Sequence, residues 1–160
     1  MPFTPFHFGP TLMLGLLLRR ISLPAILIGS VIADGEGFSV LFLGLDYPLH
    51  GYAHTFLGAS IIAILLIIVL YLLRSPMEKV MDFVRLPQQV TWPGLAIGSF
   101  IGTFSHVILD SFLYTDIKPF YPSNYNPFYA FISSPFVYKT CTLLFVGGII
   151  IYVILLIKKK

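Results

Sequence analysis

Three stretches of nearly unbroken apolar residues dominate the chain: 55–73, 93–113 and 136–157. Each approaches or exceeds the roughly 20 residues that a helix needs to cross the hydrocarbon core of a bilayer. The pattern predicts three long transmembrane helices. The first has almost no polar interior, and the third has only Lys139 near one end. The second carries two ionisable residues, His106 and Asp110.

The N-terminal third has a different pattern. Residues 11–33 are long enough to span, but Arg19 and Arg20 lie in the middle and Pro24 follows. Each central arginine costs roughly 2.5–3.5 kcal/mol on insertion scales. The pattern therefore predicts two short helices, residues 10–18 and 24–33, hinged at the arginine pair, whose guanidinium groups snorkel to one interface. The expected fold is all-α. It is a polytopic membrane helix bundle of three long transmembrane helices plus an N-terminal broken helix or helical hairpin, in one membrane domain over residues 1–160. Residues 114–135, rich in Tyr, Phe, Pro and Asn, suit the headgroup region.

Composition narrows the class. Hydrophobic residues make up 57% of the chain and charged residues 11%, against about a quarter charged in soluble domains. One soluble core of this size could not hide that much apolar surface. The net charge of +3 sits in clusters: Arg19 and Arg20, then Arg74, Lys79 and Arg85, then Lys158, Lys159 and Lys160. With a hairpin at the arginines, these eight basic residues share one side. That side reads as cytoplasmic, which puts the C-terminus in the cytoplasm and the protein in the cell membrane. No basic stripe with interleaved aromatics supports nucleic acid as a partner. The single cysteine, Cys141, lies in an apolar run and reads as a small hydrophobe. The first ten residues lack the basic start of a signal peptide, and none is expected.

The opposite, non-cytoplasmic side collects the chemistry. Asp34 and Glu36 in "ADGEG" fall at the end of the second short helix. In "DYPLHGYAHT", Asp46 can cap a helix with Pro48 in its first turn. His50 and His54 then lie four apart on one face, a spacing at which two imidazoles share a metal. In "GTFSHVILD", His106 and Asp110 are also four apart, and Ser99 and Thr103 extend their stripe. Gly94, Gly98 and Gly102 form a small-residue row that lets another helix approach closely. Singly, each feature has a bland reading: an interfacial histidine, a capping aspartate. Together they do not, because ionisable residues inside membrane segments are rare and costly. Imidazole with carboxylate is the ligand set of catalytic zinc, and it also suits manganese or iron.

"TPFHFGP", "HGYAHTFLGA" and "IGTFSHVILDSF" followed by "DIKPFYP" resemble the membrane-bound metal-dependent hydrolase family, also known as the YdjM or DUF457 family. That family is distantly similar to zinc-dependent phospholipase C and to fungal single-strand nucleases. The resemblance implies His7, Asp34, His50, His54, His106 and Asp110 as metal ligands, with His7 reaching the site if the N-terminal pair is a hairpin. "DGEG" departs from the "DIDH"-like run of some relatives, which makes Glu36 a replacement ligand or a supporting group. The ligands are too few for three metals, and one or two are expected.

The expected function is hydrolysis of a phosphoester, such as a lipid headgroup, at the membrane surface by a divalent metal, zinc first. Glu36 or Asp110 is the candidate general base. Lys118 is placed to offset phosphate charge. The alternative is a non-catalytic metal-binding membrane protein or a small transporter. An ion pathway would need polar residues continuing below Ser99, where the helix offers only small and apolar ones.

Overall fold

A computed structural model describes residues 5–158. The described residues are all-helical, without strands. The helices are α1 (Phe8–Leu17), α2 (Leu23–Gly29), α3 (Asp34–Leu43), α4 (Phe56–Leu72), α5 (Arg74–Phe83), α6 (Trp92–Leu113) and α7 (Ser134–Ile157). Short 3₁₀ turns, Pro5–His7 and Tyr52–His54, precede α1 and α4. Lys159 and Lys160, part of the basic C-terminal cluster, lie outside the described residues.

Only α6 and α7 are each long and apolar enough to cross a membrane alone. The count reaches four if two bent pairs, α2 with α3 and α4 with α5, are each one span. The expectation of three long transmembrane helices is therefore not confirmed as a count. The apolar run at 55–73 yields a 17-residue helix that turns by 80° into α5. Pro76 explains the turn. It has no N–H to bond Leu72, and its ring would clash with that carbonyl. α5 then proceeds as an amphipathic helix with Met81 buried and Phe83 88% exposed.

The N-terminal pair is a hairpin. Thr11 meets Ser30 and Gly15 meets Ile26, so α1 and α2 run antiparallel. The turn between them is clamped by Gln88. Its Nε2 donates to the Arg19 and Ile21 carbonyls, and its Oε1 accepts from Leu23 N at 2.9 Å. Ser22 caps α2.

α2 ends at Gly29, not at residue 33, and the chain resumes as α3 after a 46° bend. Asp34 and Glu36 therefore open a helix instead of closing one. There their charge complements the positive end of the helix dipole. The helix expected from Asp46 and Pro48 does not form. Residues 44–51 are turns and bends, and the cap of α4 is Thr55, whose Oγ1 accepts from Gly58 N.

α6 is the central element. α2 runs parallel along its glycine row. A Cβ at Gly98 would lie 2.8 Å from Ser22 O, and one at Gly102 would lie 2.5 Å from Ile26 O. Nothing larger than glycine allows this approach. α4 packs antiparallel on another face, with Tyr71 stacked on Trp92 at one end and Phe56 against Phe104 toward the other. α7 touches the bundle mainly through α1 and buries only Val137, Cys141 and Gly148. Ile151, Tyr152 and Leu155 are partly buried against the core, and many of the other α7 side chains are exposed apolar groups.

A candidate metal centre

The α2–α6 register decides where the polar stripe of α6 ends up. Ser99, Thr103, His106 and Asp110 are all buried. The buried α6 face meets the C-terminal end of α2, the first turn of α3 and the 3₁₀ turn before α4. The first turn of α3 contributes Asp34, and the 3₁₀ turn contributes His54. One ligand atom from each of Asp34, His54, His106 and Asp110 lies within 4.8 Å of every other. His106 Nε2 is 3.3 Å from Asp110 Oδ2 and 3.7 Å from Asp34 Oδ1, and His54 Nε2 is 3.9 Å from Asp110 Oδ2. None of the four residues is more than 2% exposed.

The hydrogen bonds around this group fix which nitrogen each ring presents. His106 Nδ1 is 2.8 Å from Ser30 O. A carbonyl can only accept, so Nδ1 carries the hydrogen and a neutral ring offers Nε2 as a bare lone pair. His54 repeats the arrangement with a carboxylate: its Nδ1 is 3.1 Å from Glu36 Oε2. Both Nε2 atoms therefore face two carboxylates as acceptors facing acceptors. His54 Nε2, His106 Nε2 and Asp34 Oδ2 have no hydrogen-bond partner among the described residues. With both rings neutral such a cluster is repulsive, and either protons on the imidazoles or a bound cation relieves it. A divalent ion matches both its charge, minus two from the carboxylates, and its donor set of two imidazoles and two carboxylates. Backbone or carboxylate acceptors behind the ring are also how ligating histidines are held elsewhere.

The model for YdjM inner membrane proteins matches residues 2–159. The chain belongs to that family. No curated protein and no solved structure was found to match it. The YdjM match does not extend to zinc-dependent phospholipase C; what it establishes is a membrane protein, in agreement with the apolar helices. It spans both the arginine turn and the buried cluster, so the two ends of the bundle belong to one family unit.

The remaining residues singled out in the sequence fall around the cluster. His7 is carried in by α1: its ring stacks on His106 at 4.2 Å, and its Nε2 is 3.1 Å from Asp110 Oδ1. His50 stands outside the four-residue group. The shared helical face for His50 and His54 is absent, because Pro48 and Gly51 lie in non-helical chain. His50 instead bonds Asp116 Oδ2 through Nδ1 at 2.9 Å, with its ring edge-on to His54 at 4.9 Å.

Glu36 spends both oxygens. Oε2 accepts from His54 Nδ1 and Gly51 N, and Oε1 from Ala53 N and the Tyr47 hydroxyl. It supports His54 and does not face the cluster centre. Replacing Glu36 with Gln removes the ionised acceptor behind His54. A loss of metal affinity of about 10- to 100-fold is expected from a supporting partner of this kind. Zinc titration of the purified variant beside the parent checks this.

Two contributors escaped the sequence reading. The Ser30 carbonyl that fixes His106 carries no side-chain signal, and only Gly29 beside it hinted at close packing. The second is an open cavity of about 400 Å³ next to His50, lined by Tyr47, Tyr52, Asp116, Lys118 and Tyr121. The hydrogen bond with Tyr121 pushes the Tyr52 phenol up in pKa at the rim.

Proposed function

We propose that this protein holds one divalent metal, zinc first, on Asp34, His54, His106 and Asp110, and hydrolyses a phosphoester such as a lipid headgroup. The observation that carries the metal is the pair of Nε2 lone pairs facing two buried carboxylates with no hydrogen-bond partner. The ion supplies Lewis-acid activation of water and of a phosphoryl oxygen.

The chain's own residues then have distinct tasks. Ser30 O and Glu36 orient His106 and His54. His7 lies against Asp110 and limits its movement. Glu36 is fully occupied by four donors, so the general-base role falls to Asp110 through the oxygen that the metal does not use, the one 3.1 Å from His7 Nε2. The substrate headgroup docks in the tyrosine-lined cavity, where Lys118 offsets phosphate charge and His50, held by Asp116, forms the wall toward His54. The cavity opens on the side away from the arginine turn. Gly94, which meets Arg20 O, is 16 residues before Asp110 on α6, or about 24 Å of helix. With the arginine end cytoplasmic, the site faces the other leaflet.

A structural metal centre is the second reading. What favours it is enclosure: four protein ligands, none more than 2% exposed, resemble a closed site. One assay separates the two. Zinc-loaded protein is incubated with phospholipid and with a chromogenic phosphodiester. The hydrolase reading expects turnover that EDTA abolishes. Lys118→Ala should lower that turnover about 10-fold, as expected for one charged contact to phosphate, with zinc content unchanged. Zinc-loaded protein inert on both substrates decides for the structural centre.

A further inference from the structure

At the end of the bundle opposite the metal cluster lies a second open cavity of about 530 Å³. It is lined by Arg19, Arg20, Gln88, Gln89, Thr91 and Ile97, among others, and no carboxylate lines it. Neither arginine is within ion-pair distance of a carboxylate among the described residues. Arg19 spends one N–H on Pro87 O at 3.2 Å, and Arg20 has no hydrogen bond there. Two guanidinium groups thus share one concavity with their charge unanswered by protein.

The scaffold holding them is fixed. Gln88 clamps the turn from the α5–α6 loop, and Ser22 N donates to Gly94 O at 3.0 Å. The mouth also includes the N-terminus of the 22-residue α6, capped by Thr91, whose dipole adds to the positive potential. The level of the cavity in the bilayer is marked by its neighbours. Trp92 stacks on Tyr71, and the Arg74 guanidinium sits 4.8 Å over the Tyr71 ring. Aromatic and basic residues of this kind gather at the headgroup layer. Ile97, 47% exposed, continues the cavity onto the apolar surface of α6. Cationic walls at headgroup depth, joined to an apolar track one turn deeper, match a phosphate with an acyl chain attached.

We propose that this cavity binds the headgroup of an anionic phospholipid, with Arg19 and Arg20 on its phosphate and Ile97 along its first acyl carbons. A zwitterionic headgroup brings its own cation toward two arginines and is disfavoured. The site is independent of the metal centre.

Native mass spectrometry of full-length protein from mixed phosphatidylglycerol and phosphatidylcholine micelles tests it. Phosphatidylglycerol should be retained preferentially. Each arginine replaced by glutamine should cut that preference about fivefold, and the R19Q/R20Q pair about 25-fold, by the attraction one cationic side chain has for an anionic surface. Thermal unfolding followed by circular dichroism reports whether each variant is folded. Arg20→Gln carries the test alone if the pair misfolds, since Arg20 has no hydrogen bond or ion pair to lose among the described residues. Unchanged lipid preference in folded Arg20→Gln overturns the proposal. So does displacement of the lipid by excess inorganic phosphate, which would make this a general anion site.

Discussion

Purified His106→Ala protein should contain no stoichiometric zinc and should melt at a lower temperature than the zinc-bound parent. The ring is fully buried and its Nε2 faces both Asp34 and Asp110. Removing it leaves two carboxylates and one imidazole around a centre that needs four ligands. A ligand present at 1,000 times its dissociation constant stabilises the folded state by about 4 kcal/mol, and the variant forfeits that contribution. EDTA should bring the parent to nearly the same melting temperature, whereas the variant should ignore EDTA. His50→Ala is the control: His50 bonds Asp116 and lies outside the four-residue cluster, so zinc should remain. A His106→Ala protein with full zinc would show that the buried group is not the binding site.

Gly102→Val should damage both the fold and the centre, although Gly102 is not itself a ligand. The first added carbon would lie 2.5 Å from Ile26 O and 3.0 Å from Gly29. Backbone atoms cannot rotate away as a side chain can, so α2 must move off α6. Overpacking typically costs about 1–3 kcal/mol, occasionally more, and a β-branched residue against backbone belongs at the upper end. The displacement also separates Ser30 O from His106 Nδ1, one helical turn further along the same interface. Zinc affinity should therefore fall by about 10-fold or more, as when a supporting hydrogen bond is lost. Thermal unfolding followed by circular dichroism, with zinc titration, measures both. Valine at Gly35 is the comparison, because a Cβ there meets nothing within 4 Å.

How far the sequence foretold the structure depends on whether a feature is local. The polar stripe and glycine row of α6 were legible because helical periodicity alone places them, and the uninterrupted pattern runs through 22 residues. The arginine hinge was legible because two charges in an apolar run have few places to go. α3 was missed because Gly35 and Gly37 weaken a helix on propensity. Two acids in its first turn and exposed apolar side chains along it offset those glycines. The 80° bend into α5 was overlooked even though Pro76 stands where a helix breaks. His50 was misplaced for a tertiary reason. Four-residue spacing predicts a shared face only on a helix, and Pro48 and Gly51 keep that segment from being one. The Ser30 carbonyl and the rim cavity come from packing between distant segments, which no local pattern encodes.

X-ray absorption at the zinc edge of freshly purified protein tests the central claim most directly. The account predicts one zinc per chain whose protein ligands are two imidazole nitrogens and two carboxylate oxygens, at about 2.0–2.2 Å, with the activated water as the one further oxygen that the hydrolase reading adds. No sulfur should appear, because Cys141, buried in α7, is not among the four residues whose ligand atoms converge. A spectrum with sulfur in the shell, or protein that takes up no divalent metal after zinc, manganese and iron are each supplied, would contradict it.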